Sequence, residues 1–186
     1  MDKHYTMEIA GLKRELPLFP VNDELYIAAF IIFGDVEITK KSAEELLKRA
    51  PEYDILVTAE CKSIPLIYEM ARQHNDDNYV IARKKAKIYM KNIIETTVDS
   101  ITTANIQSLC IGQAEIDAIK GKRVLIVDDV ISTGESLASL EQLVEKAGGS
   151  IVGKMAILAE GDAAKRDDII FLEKLPLFDA DGNPTE

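Results

Sequence analysis

The segment Val124-Leu125-Ile126-Val127-Asp128-Asp129-Val130-Ile131-Ser132-Thr133-Gly134-Glu135-Ser136 brings two kinds of polar group together at close spacing. Four apolar residues read as a buried strand, and Glu135–Ala147 reads as a helix closed by Gly148-Gly149. Two adjacent carboxylates, Asp128 and Asp129, emerge at the strand's exposed end. A small polar loop at the helix N-terminus follows them. A helix N-terminus presents unpaired N–H groups and a partial positive charge, which suit a phosphate. Hydroxyls of Ser132, Thr133 and Ser136 add donors, and Gly134 lets the backbone come close. The carboxylates repel phosphate but accept hydrogen bonds from two neighbouring sugar hydroxyls. A phosphorylated sugar, with phosphate at the helix and diol at the carboxylates, satisfies every group.

Plainer readings exist for the same residues. Ser-Thr-Gly can be a helix cap, and paired aspartates can be solvated or bind a metal. An apolar strand ending in Asp-Asp also serves P-loop enzymes as a magnesium strand, but the Gly-x-x-x-x-Gly-Lys-Ser/Thr loop is missing here. The dinucleotide pattern Gly-x-Gly-x-x-Gly is missing too.

Taken whole, the block resembles the phosphoribosyl diphosphate signature of type I phosphoribosyltransferases, and the likeness runs roughly from Arg14 to Glu160. The resemblance implies that Asp128 and Asp129 meet the ribose hydroxyls. It gives the 5′-phosphate to Ser132, Thr133, Gly134, Glu135 and Ser136. Thr58-Ala59-Glu60-Cys61-Lys62-Ser63-Ile64-Pro65 sits where the family keeps its diphosphate loop, so Cys61, Lys62 and Ser63 are implied to bind the leaving diphosphate. Purine enzymes usually carry glycine at the position of Ser63, and serine costs more there if the backbone takes an unusual angle. Arg83-Lys84-x-x-Lys87 resembles the basic motif that opens the family's flexible loop. Its cations would neutralise diphosphate in the same subunit or a neighbouring one. The bland alternatives are a lysine on an exposed turn and a solvated basic turn.

Arg14-Glu15-Leu16-Pro17-Leu18-Phe19-Pro20 resembles a segment near the start of adenine phosphoribosyltransferases, where the N-terminal segment forms a hood over the base. Phe19 and Val21 would then lie near a purine and Glu160 would read its edge, with plain core as the other reading of Phe19. The implied reaction joins a purine nitrogen to ribose C1 as diphosphate leaves, with magnesium (Mg2+) bound largely through substrate oxygens. A homodimer is implied as well. Adenine leads narrowly over xanthine, hypoxanthine and guanine, because the loop Val98-Asp99-Ser100-Ile101-Thr102-Thr103 is closer to xanthine enzymes. Asp99 is the candidate catalytic acid of that loop. A non-catalytic sensor of phosphoribosyl diphosphate, like the purine repressors of Gram-positive bacteria, is the rival. Those repressors add a basic DNA-reading domain, and the residues before the first core strand here lack that charge.

The elements that must hold these groups alternate. Strands are expected at Tyr26–Phe33, Asp54–Thr58, Tyr79–Ala82, Ile106–Ile111, Val124–Val127 and Ile151–Leu158. Helices are expected from Thr39 to Ala50, Ile64 to Gln73 and Glu135 to Ala147. A polar leader opens the chain, and Ile88–Asn105 reads as a mobile hairpin or long surface loop. That order predicts an α/β fold, a parallel sheet with helices on both faces, with a flexible loop and a small N-terminal hood. One domain over 1–186 is expected, with the hood at about 12–35 and the core at about 40–172.

The net charge of −10 and pI of about 4.8 exclude nucleic acid and an anionic membrane as first partners, because the average field repels polyanions. A small phosphorylated ligand survives that field where local amides and cations dominate. Cys61 and Cys110 form no Cys-x-x-Cys pair, and His4 and His74 stand far apart, so no zinc spacing exists. The longest apolar run, Leu25–Phe33, has nine residues, and the N-terminus lacks the shape of a signal peptide. Reduced thiols and a cytoplasmic location are the expectation.

Overall fold

The protein is described by a computed structural model covering residues 3–98 and 107–185. The chain opens with β1 (His4–Ile9) and β2 (Leu12–Pro20), joined through Ala10 and Gly11. Both turn residues have positive φ, 51° and 78°, which matches a two-residue hairpin between right-twisted strands. β3 (Tyr26–Ala28) is far shorter than the expected Tyr26–Phe33 strand. Ala29 N–H still reaches Pro17 O at 2.9 Å, but Pro17 has no N–H to return, so the ladder stops.

α1 (Val36–Arg49) starts earlier than expected because Asp35 caps it, its side chain accepting from Ile38 N–H at 3.0 Å. Then follow β4 (Ile55–Ala59), α2 (Ile64–His74), β5 (Tyr79–Ala82), the hairpin β6 (Ile94–Val98) with β7 (Gln107–Ile111), and α3 (Gln113–Ile119). The short α3 was not expected; Glu115 returns to Gly112 N–H at 2.9 Å and fixes its start. β8 (Arg123–Ile131), α4 (Glu135–Lys146), β9 (Ser150–Glu160), β10 (Ile170–Leu175), β11 (Leu177–Phe178) and β12 (Pro184–Thr185) complete the chain.

Five strands form a parallel sheet in the order β10-β9-β8-β4-β5. β8 shows why a continuous apolar run means a sheet covered on both faces. Leu125 and Val127 pack with Ile38, Leu46, Leu66 and Met70 of α1 and α2. Val124 and Ile126 pack on the other side with Ile119, Leu140 and Leu143 of α3 and α4. All four β8 side chains are fully buried. A second sheet, β1-β2-β3-β11-β12, joins the two ends of the chain, and Ile9, Leu16, Leu18 and Phe178 seat it on the α1–α2 core. Among the described residues, no helix is long and apolar enough to cross a membrane.

Candidate active site

β4 and β8 are neighbours at the centre of the parallel sheet, and their crossovers diverge. β4 leads through α2 to β5 on one side, and β8 leads through α4 to β9 on the other. The two helices lie on opposite faces, so a crevice opens beyond the carboxyl ends of β4 and β8, where open α/β sheets hold ligands. The β4–β8 ladder ends at Val57 and Ile126, whereas β8 stays paired with β9 as far as Ile131. The crevice is a cavity of about 470 Å³ between the turn after β4 and Asp128–Val130. A recess of about 50 Å³, formed by Ser132, Thr133 and Gly134, shares Asp128, Val130 and Ser136 with it.

The two aspartates differ from expectation in one respect: β8 does not end before them. Pairing with Ala156 and Leu158 of β9 carries the strand past both, and Asp129 is only 3% exposed. Ser63 Oγ lies 2.6 Å from Asp128 Oδ1 and 3.0 Å from Asp129 Oδ1. Asp129 N–H donates to Ser63 Oγ and to Asp128 Oδ1, each at 2.9 Å. Lys62 Nζ is ion-paired with the buried Asp129 Oδ2 at 3.1 Å. Burial, followed by the charge of Asp129, pushes the Asp128 carboxyl up to about 7, against the pull of the Ser63 hydroxyl.

At the start of α4, Gly134 holds the N-cap at φ +81° and offers no side chain to cap the first turn. Thr133 Oγ1 makes only a long contact, 3.5 Å, with Glu135 N–H. A Cβ at Gly134 would fall 2.9 Å from Arg166 Nη1, a neighbour that the sequence did not suggest. Arg166 is held there by Asp168 at 2.8 and 2.7 Å.

In the turn after β4, Cys61, Lys62 and Ser63 line the cavity together with Lys84. Cys61 is an exposed free thiol, and the Glu60–Cys61 peptide is cis. The backbone penalty expected at Ser63 does not arise, since its φ of −80° and ψ of −2° are ordinary. Lys85, an unassigned position of the basic motif, also lines the cavity, whereas Arg83 and Lys87 do not. Arg83 faces Glu60 at 3.5 Å and is tied through its backbone to Cys110, and Lys87 N–H reaches Met90 Sδ at 3.2 Å. Glu60, also missed, accepts from Lys84 N–H at 3.1 Å and thereby orients the basic segment.

Phe19 and Val21 are 50% and 56% exposed and line neither recess, so Phe19 is not core. Glu160 ends β9, where burial raises its carboxyl and the charge of Lys62 opposes the rise. Asp99 lies outside the described residues.

Residues 35–184 match the family model of the phosphoribosyl transferase domain. The chain belongs to that family. As a phosphoribosyltransferase it is 33% identical over 156 residues to the adenine phosphoribosyltransferase of Acetivibrio thermocellus, covering 79% of this chain and 84% of that one. The adenine phosphoribosyltransferase of Bifidobacterium longum is 30% identical over 182 residues, covering 95% and 85%. Among solved structures, the Rhodothermus marinus adenine phosphoribosyltransferase superimposes with a TM-score of 0.65 at 24% identity, over 92% of this chain and 94% of that chain. The Saccharomyces cerevisiae enzyme, complexed with adenine and an imino-altritol bisphosphate, gives 0.66 at 20% identity, over 85% and 92%. The resemblance carried by Val124–Ser136 is borne out, and the phosphoribosyltransferase fold is α/β with helices on both faces of a parallel sheet.

Proposed function

We propose that this phosphoribosyltransferase forms a nucleoside monophosphate and diphosphate from phosphoribosyl diphosphate and a purine, with adenine favoured. One observation carries the reading: a single cavity gathers the acidic pair, the small recess at the α4 N-terminus and the lysines of two separate segments. The adenine phosphoribosyltransferase relatives support the choice of base.

In this mechanism the ribose hydroxyls donate to Asp128 and Asp129, and the 5′-phosphate takes the amides and hydroxyls of Ser132–Ser136. Lys62, Lys84 and Lys85 draw the diphosphate to the opposite wall, with the backbone of Cys61–Ser63 beside it. As the C1–O bond breaks, positive charge grows on the ribose. The carboxylates, Asp129 buried and Asp128 half-buried, are already in place to stabilise that charge, with little solvent reorganisation. The base nitrogen then bonds to C1 and gives up its N–H proton to the departing diphosphate, and positioning, with water kept out, favours it over hydrolysis. Glu160 is proposed at the base edge. Asp99, Arg83, Lys87, Phe19 and Val21 keep the roles that the resemblance implies, as part of the proposal.

Among the described residues, no group of three or more His, Cys, Asp or Glu side chains is arranged to hold a metal. In the proposal a magnesium ion would be held largely by the diphosphate and ribose oxygens, where it would neutralise leaving-group charge. A homodimer belongs to the same proposal, and a sedimentation measurement checks it.

The test is a turnover assay with magnesium, phosphoribosyl diphosphate and adenine, xanthine, hypoxanthine or guanine offered singly. Adenosine monophosphate from adenine is the expected product. Turnover of another base alone would reassign the specificity, and binding without any turnover would replace the enzyme with a sensor.

A further inference from the structure

Ser63 occupies the N-cap of α2, where a serine hydroxyl ordinarily accepts from the first turn, yet it makes no such bond. Its hydroxyl is turned instead toward two acids of β8. The side chain is buried, with Oγ at 2.6 Å from Asp128 Oδ1 and 3.0 Å from Asp129 Oδ1. The same oxygen accepts from Asp129 N–H at 2.9 Å. A hydroxyl has one proton and donates to one oxygen at a time. A full hydrogen bond along both oxygen–oxygen contacts takes a second proton, which a carboxyl of the pair can carry.

We propose that Ser63 is a positioning residue of the ribose-diol site: its hydroxyl ties Asp128 to Asp129 with one shared proton in the unliganded protein, and that proton leaves to solvent when the diol binds. The inference rests on the phosphoribosyl diphosphate reading given above. No covalent bond of the ligand changes in this step. The carboxyl O–H releases its proton to buffer, and the two ribose O–H groups become the donors to the ionised pair. Asp129 Oδ2, buried and ion-paired with Lys62, is a ready acceptor once Lys62 swings from it toward the diphosphate.

The surrounding charges set the balance. Lys62 comes from the turn after β4, and Lys84 and Lys85 come from beyond β5. Glu60 in the same turn is engaged by Arg83 and by Lys84 N–H, Glu160 stands at the end of β9, and α4 brings Glu135 in its first turn. The lysines favour the ionised pair and the acids oppose it. The raised Asp128 carboxyl agrees with the hydrogen count.

The experiment is calorimetry of magnesium phosphoribosyl diphosphate binding to the full chain, in buffers of different ionisation enthalpy from pH 6 to 9. The wild type is expected to release close to one proton at the acid end and none at pH 9. Its affinity should rise by up to about tenfold per pH unit along the acid limb. In Ser63→Ala the ionised pair loses a donor, so the acid limb moves to higher pH. Binding at pH 7 should weaken about tenfold or more and recover toward wild type at pH 9. Ser63→Gly, which restores the glycine usual in purine enzymes, should behave in the same way. The ligand's phosphates titrate alike in every protein, so the difference between profiles belongs to the site. A role confined to packing would weaken binding equally at every pH, and that result overturns the proposal. Proton-neutral, pH-independent binding by the wild type overturns it without any variant. Failure of the wild type to bind at all overturns the ribose site itself, and this inference with it.

Discussion

Adjacent carboxylates on one strand repel each other, and burial removes the water that would screen them. Asp128 and Asp129 are kept in place by a hydroxyl, a backbone N–H and a lysine, all supplied by the fold. The arrangement suits ligand binding and costs stability. Burial and the charge of Asp129 raise the Asp128 carboxyl well above its ordinary 3.8, so in the window from that value upward to the raised one the folded state binds more protons than the unfolded one. Stability from this group is therefore lost as pH rises through that window. Asp128→Asn should raise the melting temperature of the unliganded protein at pH 8, with the gain shrinking toward pH 4, as read by circular dichroism. The same variant should lose phosphoribosyl diphosphate binding by about tenfold or more, since it removes a charged acceptor.

At the scale of elements, two helix starts carry the site and its frame. Gly134 permits the left-handed turn into α4, and a side chain there meets both backbone strain, about 1–2 kcal/mol, and the Arg166 guanidinium. Gly134→Ala should lower both thermal stability and ligand affinity, and isothermal titration beside a melting curve measures the two together. Asp35 starts α1 and is also clamped by Arg14, whose Nε and Nη2 lie 2.6 and 3.1 Å from its oxygens. That pair ties β2 to the first helix and holds the Asp35 carboxyl below its usual range, chiefly through the Arg14 hydrogen bond. Asp35→Ala should cost about 1–2 kcal/mol through the lost cap, visible as a lower urea midpoint at unchanged slope.

At the scale of the whole molecule, a chain of charge −10 is proposed to bind a strongly anionic ligand. The average field opposes this, so attraction must come from Lys62, Lys84, Lys85 and the α4 N-terminus, all within one crevice. Binding to the folded state alone then raises stability by mass action, about 2.7 kcal/mol at a free concentration one hundred times the Kd. Thermal melts with magnesium phosphoribosyl diphosphate should shift upward with concentration, and ribose without phosphate should leave them unchanged. The second sheet adds a global constraint: β1 and β2 from one end of the chain share it with β11 and β12 from the other.

What could be read from the sequence was local and periodic. Val124–Val127 showed a doubly covered strand, and the hydroxyl-and-glycine loop before Glu135 showed a helix start suited to phosphate. Alternating strands and helices implied the parallel sheet. Strand β1 was legible as well, in the alternation of Tyr5, Met7 and Ile9 with polar neighbours, although a polar leader was expected there. The rest depended on contacts between distant parts of the chain. Whether β3 continued past Ala28 was decided by Pro17 on its partner strand, and whether β8 continued past Val127 was decided by β9. Arg83 and Lys85 sit two residues apart, yet only the latter lines the cavity. Ser63 read as an awkward replacement for glycine, because a sequence cannot show that its hydroxyl meets two carboxylates more than sixty positions away. Spacing along the chain determines which groups share a strand or a helix face. Packing of one element on another determines which groups touch, and burial then determines what those contacts do to a proton.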